Sequence, residues 1–356
     1  MNQPADRSTE GATLEPEVHD STAELAGRAD ESPVDKHLDP EVKGRIAIPR
    51  VTLPEPSKGP DKFFTGLTTS TGVFIVVLIA AIALFLLASA IGPLSRNEVN
   101  FLTSREWSIS DQRLAFGIAS LLWTTVISSI VAMVIAVPIA MGVALLITHY
   151  APPRLGRVVG FLVDLLAAVP SIVYGLWGAR VFAPWLKPVG DWLSNTLGFI
   201  PLFAPGITSA GTVFAASLVL AIMILPIITS ISRDVFDQTP RENIEAAWAL
   251  GATKWEMIRT AVIPYGRSGS IAAAMLGLGR ALGETIAVML ILSTVPGFSW
   301  SLFSGGQTFA SLIARGAPEF DSPTKAGAYI AAGLVLFVLT FAVNGVARVV
   351  AGGKKG

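Results

Sequence analysis

The sequence predicts an all-α integral membrane protein of six transmembrane helices, preceded by a disordered cytoplasmic tail. Three observations carry that prediction. Of 356 residues, 52% are hydrophobic and only 15% charged. The mean hydropathy is +0.60. Six apolar runs are each long enough to cross a hydrocarbon core of about 30 Å, which takes ~20 helical residues.

The first 62 residues hold 13 of the 26 acids but 8 of the 26 Lys and Arg residues, a net −5. They contain no aromatic residue and are rich in Pro, Glu, Asp and Ser. Such a stretch buries too little apolar surface to offset its ordering entropy, so 1–62 reads as a disordered acidic tail. It has no basic n-region followed by an apolar stretch, so it does not read as a signal peptide. The chain has no cysteine and three histidines, His19, His37 and His149. Disulfides and Cys-based metal or nucleophilic chemistry are thereby excluded, and a histidine-built metal or catalytic site is not expected.

The six runs fall at roughly 72–92, 115–148, 156–182, 211–232, 270–295 and 326–350. The sequence thus divides into the tail, a first span with its external connection over 63–114, and a transmembrane domain over 115–350. The second run is overlong and contains Pro138, where a kink is expected. Asp164 interrupts the third, and its expected partner is Arg154 or Arg157 at the same end. Fourteen Lys and Arg residues flank the spans on one side and seven on the other. The positive-inside bias therefore places both termini, and the connection between spans four and five, in the cytoplasm. The external connections 183–210 and 296–325 mix Trp185, Trp192 and Trp300 with Pro and Gly, which suits interfacial anchoring or contact with a delivering protein.

The connection between spans four and five carries helix signals over 240–264. Pro240 suits a first turn, Glu242 and Glu245 sit near the positive helix end, and Ala246, Ala247 and Ala249 are strong helix formers. Gly251 can take a left-handed turn, and Thr253 can cap a second helix ending near Ile263 and Pro264. Trp248 and Trp255 offer large apolar contacts to a partner.

Arg280 and Glu284 fall in the middle of the fifth run, four residues apart and so on one face of a continuous helix. Ionisable groups at that depth face a protein interior or an aqueous path. Either they neutralise one another to help the bundle assemble, or Arg280 offers an anion its fixed charge and paired donors while Glu284 holds its geometry. Gly279 and Gly283 make a small-xxx-small pair suited to close helix packing.

Glu245-Ala246-Ala247, three further residues and then Gly251 resemble the EAA loop of ABC-importer membrane subunits, the element that docks on an ATP-hydrolysing partner. Ala261 and Ile263 depart from the usual isoleucine and leucine but keep the site apolar. Gly279-Arg280-Ala281-Leu282-Gly283-Glu284-Thr285 resembles the corresponding run of phosphate ABC importer permeases; sulfate and molybdate permeases usually have Phe where Thr285 stands. Val169 to Gly178 resembles another segment of the same permeases, and residues 101–117 resemble the stretch after the first span in the PstC-type subunit.

The resemblance implies a type I ABC importer permease fold in a bacterial plasma membrane, crossing it several times. It implies no enzymatic activity, no cofactor and no metal in this chain, with ATP and magnesium on the ATPase; no P-loop motif is present. The implied partners are a PstA-type permease subunit, two copies of a cytoplasmic ATPase, an extracytoplasmic phosphate-binding protein and the lipid bilayer, with no nucleic acid. Arg280, Glu284, Thr285, Ser171 and Tyr174 become pathway candidates, and Glu245, Ala246, Ala247, Trp248 and Gly251 become coupling candidates. A permease for sulfate or molybdate is the alternative within the class. A secondary transporter, which has no use for an EAA loop, and a membrane-embedded enzyme, for which the His and Cys are lacking, stand further off.

Overall fold

The computed structural model describes residues 58–110, 113–206, 211–295 and 297–352. Two compact units divide the chain, Met1–Ser70 and Thr71–Gly356; the helix bundle, its cavities and its loops belong to the second. Residues 1–57 of the expected tail lie outside the described residues. Helix α1 (Lys58–Ser95) begins inside the stretch expected to be tail.

Four helices are, among the described residues, long and apolar enough to cross a membrane alone. They are α1, α2 (Ala119–Leu145, continued by a π turn to Tyr150), α6 (Val213–Asp237) and α12 (Pro323–Gly352). The expected third span is not continuous. Helix α3 (Pro153–Ala167) stops before Pro170, and α4 (Ser171–Trp177) leaves at 88°, continuing through a π turn into α5 (Ala183–Leu197). Proline lacks the N–H a continuing helix needs and biases Val169 away from helical geometry, which accounts for the break.

The expected fifth span is also interrupted. Helix α9 (Ile263–Gly283) ends before Glu284, whose backbone is extended (φ −68°, ψ 122°), and α10 (Ile286–Ile291) follows. Helix α9 is not among the four spanning helices, because Arg267, Arg280 and its glycines and serines dilute its apolar character. Among the described residues, four helices, or five spans if the bent pair counts as one, are long and apolar enough to cross, so two of the six expected runs are not single continuous helices.

An exclusively helical chain is the sequence expectation, and the connection after α1 departs from it. It forms an antiparallel hairpin, β1 (Trp107–Ile109) with β2 (Leu114–Phe116), in register Ser108 to Ala115. Trp107 and Phe101 meet Phe116 edge-on, and Trp107 also packs on Tyr329 of α12. This aromatic knot, the start of α2 and the residues around α11 (Phe309–Gly316) define one end of the bundle, the loop end. Trp300, expected as a membrane anchor, packs there on Trp123 and Phe298, with the Arg105 guanidinium 4.2 Å from the Phe298 ring. Trp185 and Trp192 on α5 stay exposed.

The opposite end carries α7 (Arg241–Ala249) and α8 (Lys254–Met257). Gly251 takes φ +78°, the left-handed turn expected of it. Thr253 caps α8 in a reciprocal box: its hydroxyl accepts from the Glu256 N–H, and its own N–H donates to Glu256 Oε2 at 2.8 Å. The second helix does not stop at Ile263. It passes through a π turn (Ile258–Val262) straight into α9.

Buried Leu220, Ile224 and Ile228 of α6 join Ala132, Ala136 and Ala140 of α2 in the main core, with Ala273 of α9. Glycine permits the closest approaches. A Cβ on Gly175 of α4 would sit 2.7 Å from the Ala287 Cα of α10, a backbone atom that cannot rotate away. Gly175→Ala should therefore destabilise the bundle by about 1–3 kcal/mol, as overpacking does elsewhere. Gly142→Ala, with nothing within 4 Å of the new carbon, serves as control. Equal unfolding temperatures for the two variants would remove the close approach as a constraint.

The capping box has its own pH signature. The Thr253 N–H and then its hydroxyl donate to the Glu256 carboxylate and hold it below its ordinary 4.5. A depressed carboxylate contributes its stabilisation above its unfolded value and loses it as pH falls through the lower one. Amide protection over Lys254–Met257 should stay level from neutral pH to 4.5, fall below it, and lose that dependence in Glu256→Ala.

Candidate functional site

The helices that follow the two breaks pack against each other: α4 lies on α10, with Gly175 against Ala287. Orphaned backbone groups at both breaks find side-chain partners. Tyr174 donates its hydroxyl to the Leu166 carbonyl at 2.9 Å, bracing the bend between α3 and α4. Glu284, 9% exposed, accepts from the Ala287 N–H through Oε1 at 3.2 Å and so caps α10. At the other end of α10, Arg315 donates to the carbonyls of Met289 and Leu292 and to Thr294 Oγ1.

Arg280 and Glu284 are therefore not a pair on one helix face, as the sequence spacing suggested. The helix ends between them. Glu284 turns inward to cap α10, while Arg280 stays exposed and borders a cavity of about 690 Å³ between α6, α9 and α12. Thr285 donates to the Gly283 carbonyl at 3.2 Å inside the break. Ser171, half-buried, makes no capping bond to α4.

Two large cavities differ in their charge. The one at the loop end, about 960 Å³, is bordered by Arg105 and Arg315 but also by Glu106 and Glu319. The cavity at Arg280 is bordered by a second guanidinium, Arg348 of α12, and by no carboxylate among the described residues. An acid-free apolar wall with two fixed cations is the better receptor for an anion.

Among the described residues, a Cβ on Gly279 or Gly283 would meet nothing within 4 Å beyond its own helix. Close packing of α9 within the chain falls instead to Gly266, Gly269 and Gly277, against Phe236, Val235 and Ile228 of α6. The expected small-residue pair is thus an open face of α9.

At the opposite end, the α7–α8 hairpin divides its candidate residues. Ala247 and Ile244 pack inward on a core of Phe236, Met257, Ile258 and Val262. Glu245, Ala246 and Trp248 face outward, and Leu250, just before the Gly251 turn, is 90% exposed. Lys254 lies over the Tyr150 ring at 5.0 Å, tying the hairpin to the end of α2. An exposed apolar tip beside a rigid turn is the kind of surface that partners of matching shape cover.

Three placements are not evident from the sequence pattern. Asp164 pairs with neither Arg154 nor Arg157; it accepts from Arg233 of α6 at 3.2 Å and from Ser230 at 3.0 Å, linking α3 to α6. Only the fold could bring residues 66 and 69 positions apart together. Leu250 is no candidate on motif grounds, although an apolar residue preceding a turn glycine is a signal for an exposed tip. Asn344 and Arg348 share a helix face at the end of the last span, a spacing visible in the sequence, where Arg348 weighs only towards orientation.

Known proteins resemble this chain in sequence and, for one solved structure, in fold. Residues 136–355 match the family of binding-protein-dependent transport system inner membrane components. The "Phosphate transport system permease protein PstC 2" of Mycobacterium tuberculosis is 55% identical over 305 residues, covering 84% of this chain and 94% of the relative. The phosphate transport system permease protein PstC of Mycobacterium leprae is 55% identical over 277 residues, covering 76% and 87%. Among solved structures, a bacterial ABC transporter involved in import of the acidic polysaccharide alginate shares the fold. It aligns with a TM-score of 0.52 at 14% identity, over 83% of this chain and all of that one. On the family match and these identities, the chain is a member of the binding-protein-dependent transport system inner membrane component family, in its PstC-type branch.

Proposed function

We propose that this chain is the membrane permease subunit of an ATP-driven inorganic phosphate importer, with both termini and the α7–α8 hairpin in the cytoplasm. The observation that carries the reading is Arg280, a guanidinium unpaired among the described residues and bordering an acid-free cavity at a helix break, in a chain 55% identical to PstC permeases. Phosphate offers tetrahedral oxygens that accept two parallel guanidinium donors, which compensates the charge of Arg280 where water is scarce. Thr285 and Glu284 sit in the break after Gly283, and Ser171 and Tyr174 in the facing bend before and within α4; these four position Arg280 or contact the passing anion.

Energy enters at the other end. An ATPase pair grips Glu245, Ala246, Trp248, Leu250 and Gly251, and a phosphate-binding protein delivers at the loop end. The open face of Gly279 and Gly283 takes a PstA-type subunit, which completes the pathway. Because α8 runs without interruption through the π turn into α9, a tilt of the hairpin is carried to Arg280 by one rod. From Lys254 to Gly283 that rod is about 45 Å long at 1.5 Å per residue. Its movement exposes Arg280 first to the loop end and then to the cytoplasm, and the chain itself performs no bond chemistry.

Arg280→Gln should abolish uptake of labelled phosphate into proteoliposomes holding the assembled transporter, while all subunits still co-purify. Normal uptake in that variant would sink the pathway role. Trp248→Ala should weaken retention of the ATPase by about tenfold or more, as truncation of an interface anchor does. Unchanged retention would place the ATPase elsewhere.

A further inference from the structure

Two more residues share the cavity at Arg280. Asn344 and Arg348 lie four positions apart on α12, one above the other on a single helix face, and both border the cavity that Arg280 borders from α9. The rest of the lining is apolar or glycine, with Ile227, Ile271 and Met275 among it. Among the described residues, neither guanidinium has a hydrogen bond or ion pair, and the lining holds no carboxylate.

Two like charges sharing an apolar cavity repel each other, and the repulsion grows as the dielectric falls. A tetrahedral oxyanion between them reverses the sign of that interaction and fills donors that otherwise have no acceptor. The cavity also has a direction. Along α9 its wall runs from Arg280 back to Ile271, about 13 Å towards the hairpin end at 1.5 Å per residue. The first turns of α12 are held at the loop end, where Tyr329 packs on Trp107. Helix α12 therefore runs away from that end, and Arg348 lies on the hairpin side of Asn344.

We propose that Asn344 and Arg348 form a second oxyanion station between Arg280 and the hairpin end, which receives phosphate as it leaves Arg280. Arg348 supplies charge and Asn344 supplies amide donors. A single strong site would hold the anion; two adjacent sites of shared charge let it enter and still leave, as in other multi-site pathways. The station rests on the phosphate reading of the cavity.

The chain has no cysteine, so Asn344→Cys introduces its single thiol. In the assembled transporter, with co-purification of all subunits as the check on folding, labelling of that thiol is followed by mass spectrometry of this chain. An anionic methanethiosulfonate should react at least about tenfold faster than the cationic trimethylammonium form, the preference expected of a cleft lined by one sign of charge. Inorganic phosphate should slow the anionic reagent, and Arg348→Gln in the same background should erase the charge preference. Equal rates for both reagents, or a preference indifferent to Arg348→Gln, would overturn the station and leave Arg348 as an interfacial cation. Protection by sulfate in place of phosphate would keep the station and overturn the phosphate reading beneath it. Without the thiol, Arg348→Lys should keep most of the uptake that Arg348→Gln loses; equal uptake by the two would also count against the station.

Discussion

Hydrocarbon offers a broken helix no water, so each chain break within a membrane bundle must find its own hydrogen-bond partners. Much of this structure follows from that constraint. The bend after α3 is closed by the Tyr174 hydroxyl on the Leu166 carbonyl, and the gap before α10 by Glu284 on the Ala287 N–H. The far end of α10 is closed by Arg315 on two carbonyls. Setting α4 on α10 then shields both breaks with one contact, and Gly175 is what lets them approach. Non-helical backbone is tolerated at such depth where it is buried in protein or lines a cavity, and here Glu284, within the break, is buried.

The same economy explains why the charged residues serve different ends. Glu284 is buried and committed to the backbone, Asp164 to Arg233, and Arg315 to carbonyls. Arg280 and Arg348 are left, among the described residues, with free donors facing one cavity. Function shows in what the fold leaves unsatisfied, since a satisfied ionisable group is already explained by packing.

The hairpin was the most legible part of the sequence. Gly251 at φ +78° and the Thr253–Glu256 box depend on local chemistry, and local chemistry can be read from adjacent residues. Four apolar runs were legible for the same reason. The Arg280–Glu284 pair misled because i, i+4 spacing places two residues on one face only while the helix continues, and here it ends at Gly283. A glycine directly before the acid was the available hint of that end. Asp164 misled because its partner is distant in sequence. For Gly279 and Gly283 the sequence does not say whether the face they open meets the same chain or another. The β-hairpin escaped because strands of three residues carry too little alternation to stand out in a chain dominated by apolar helices.

Leu250 holds a further consequence. A leucine 90% exposed, flanked by half-exposed Trp248 and Trp255, is a greasy knob held in water by a stiff turn. Alone, a subunit with such a tip is prone to sticking and to capture by quality-control proteases, which read exposed apolar surface as damage. An apolar tip so exposed would tie the lifetime of the polypeptide to whatever surface covers it.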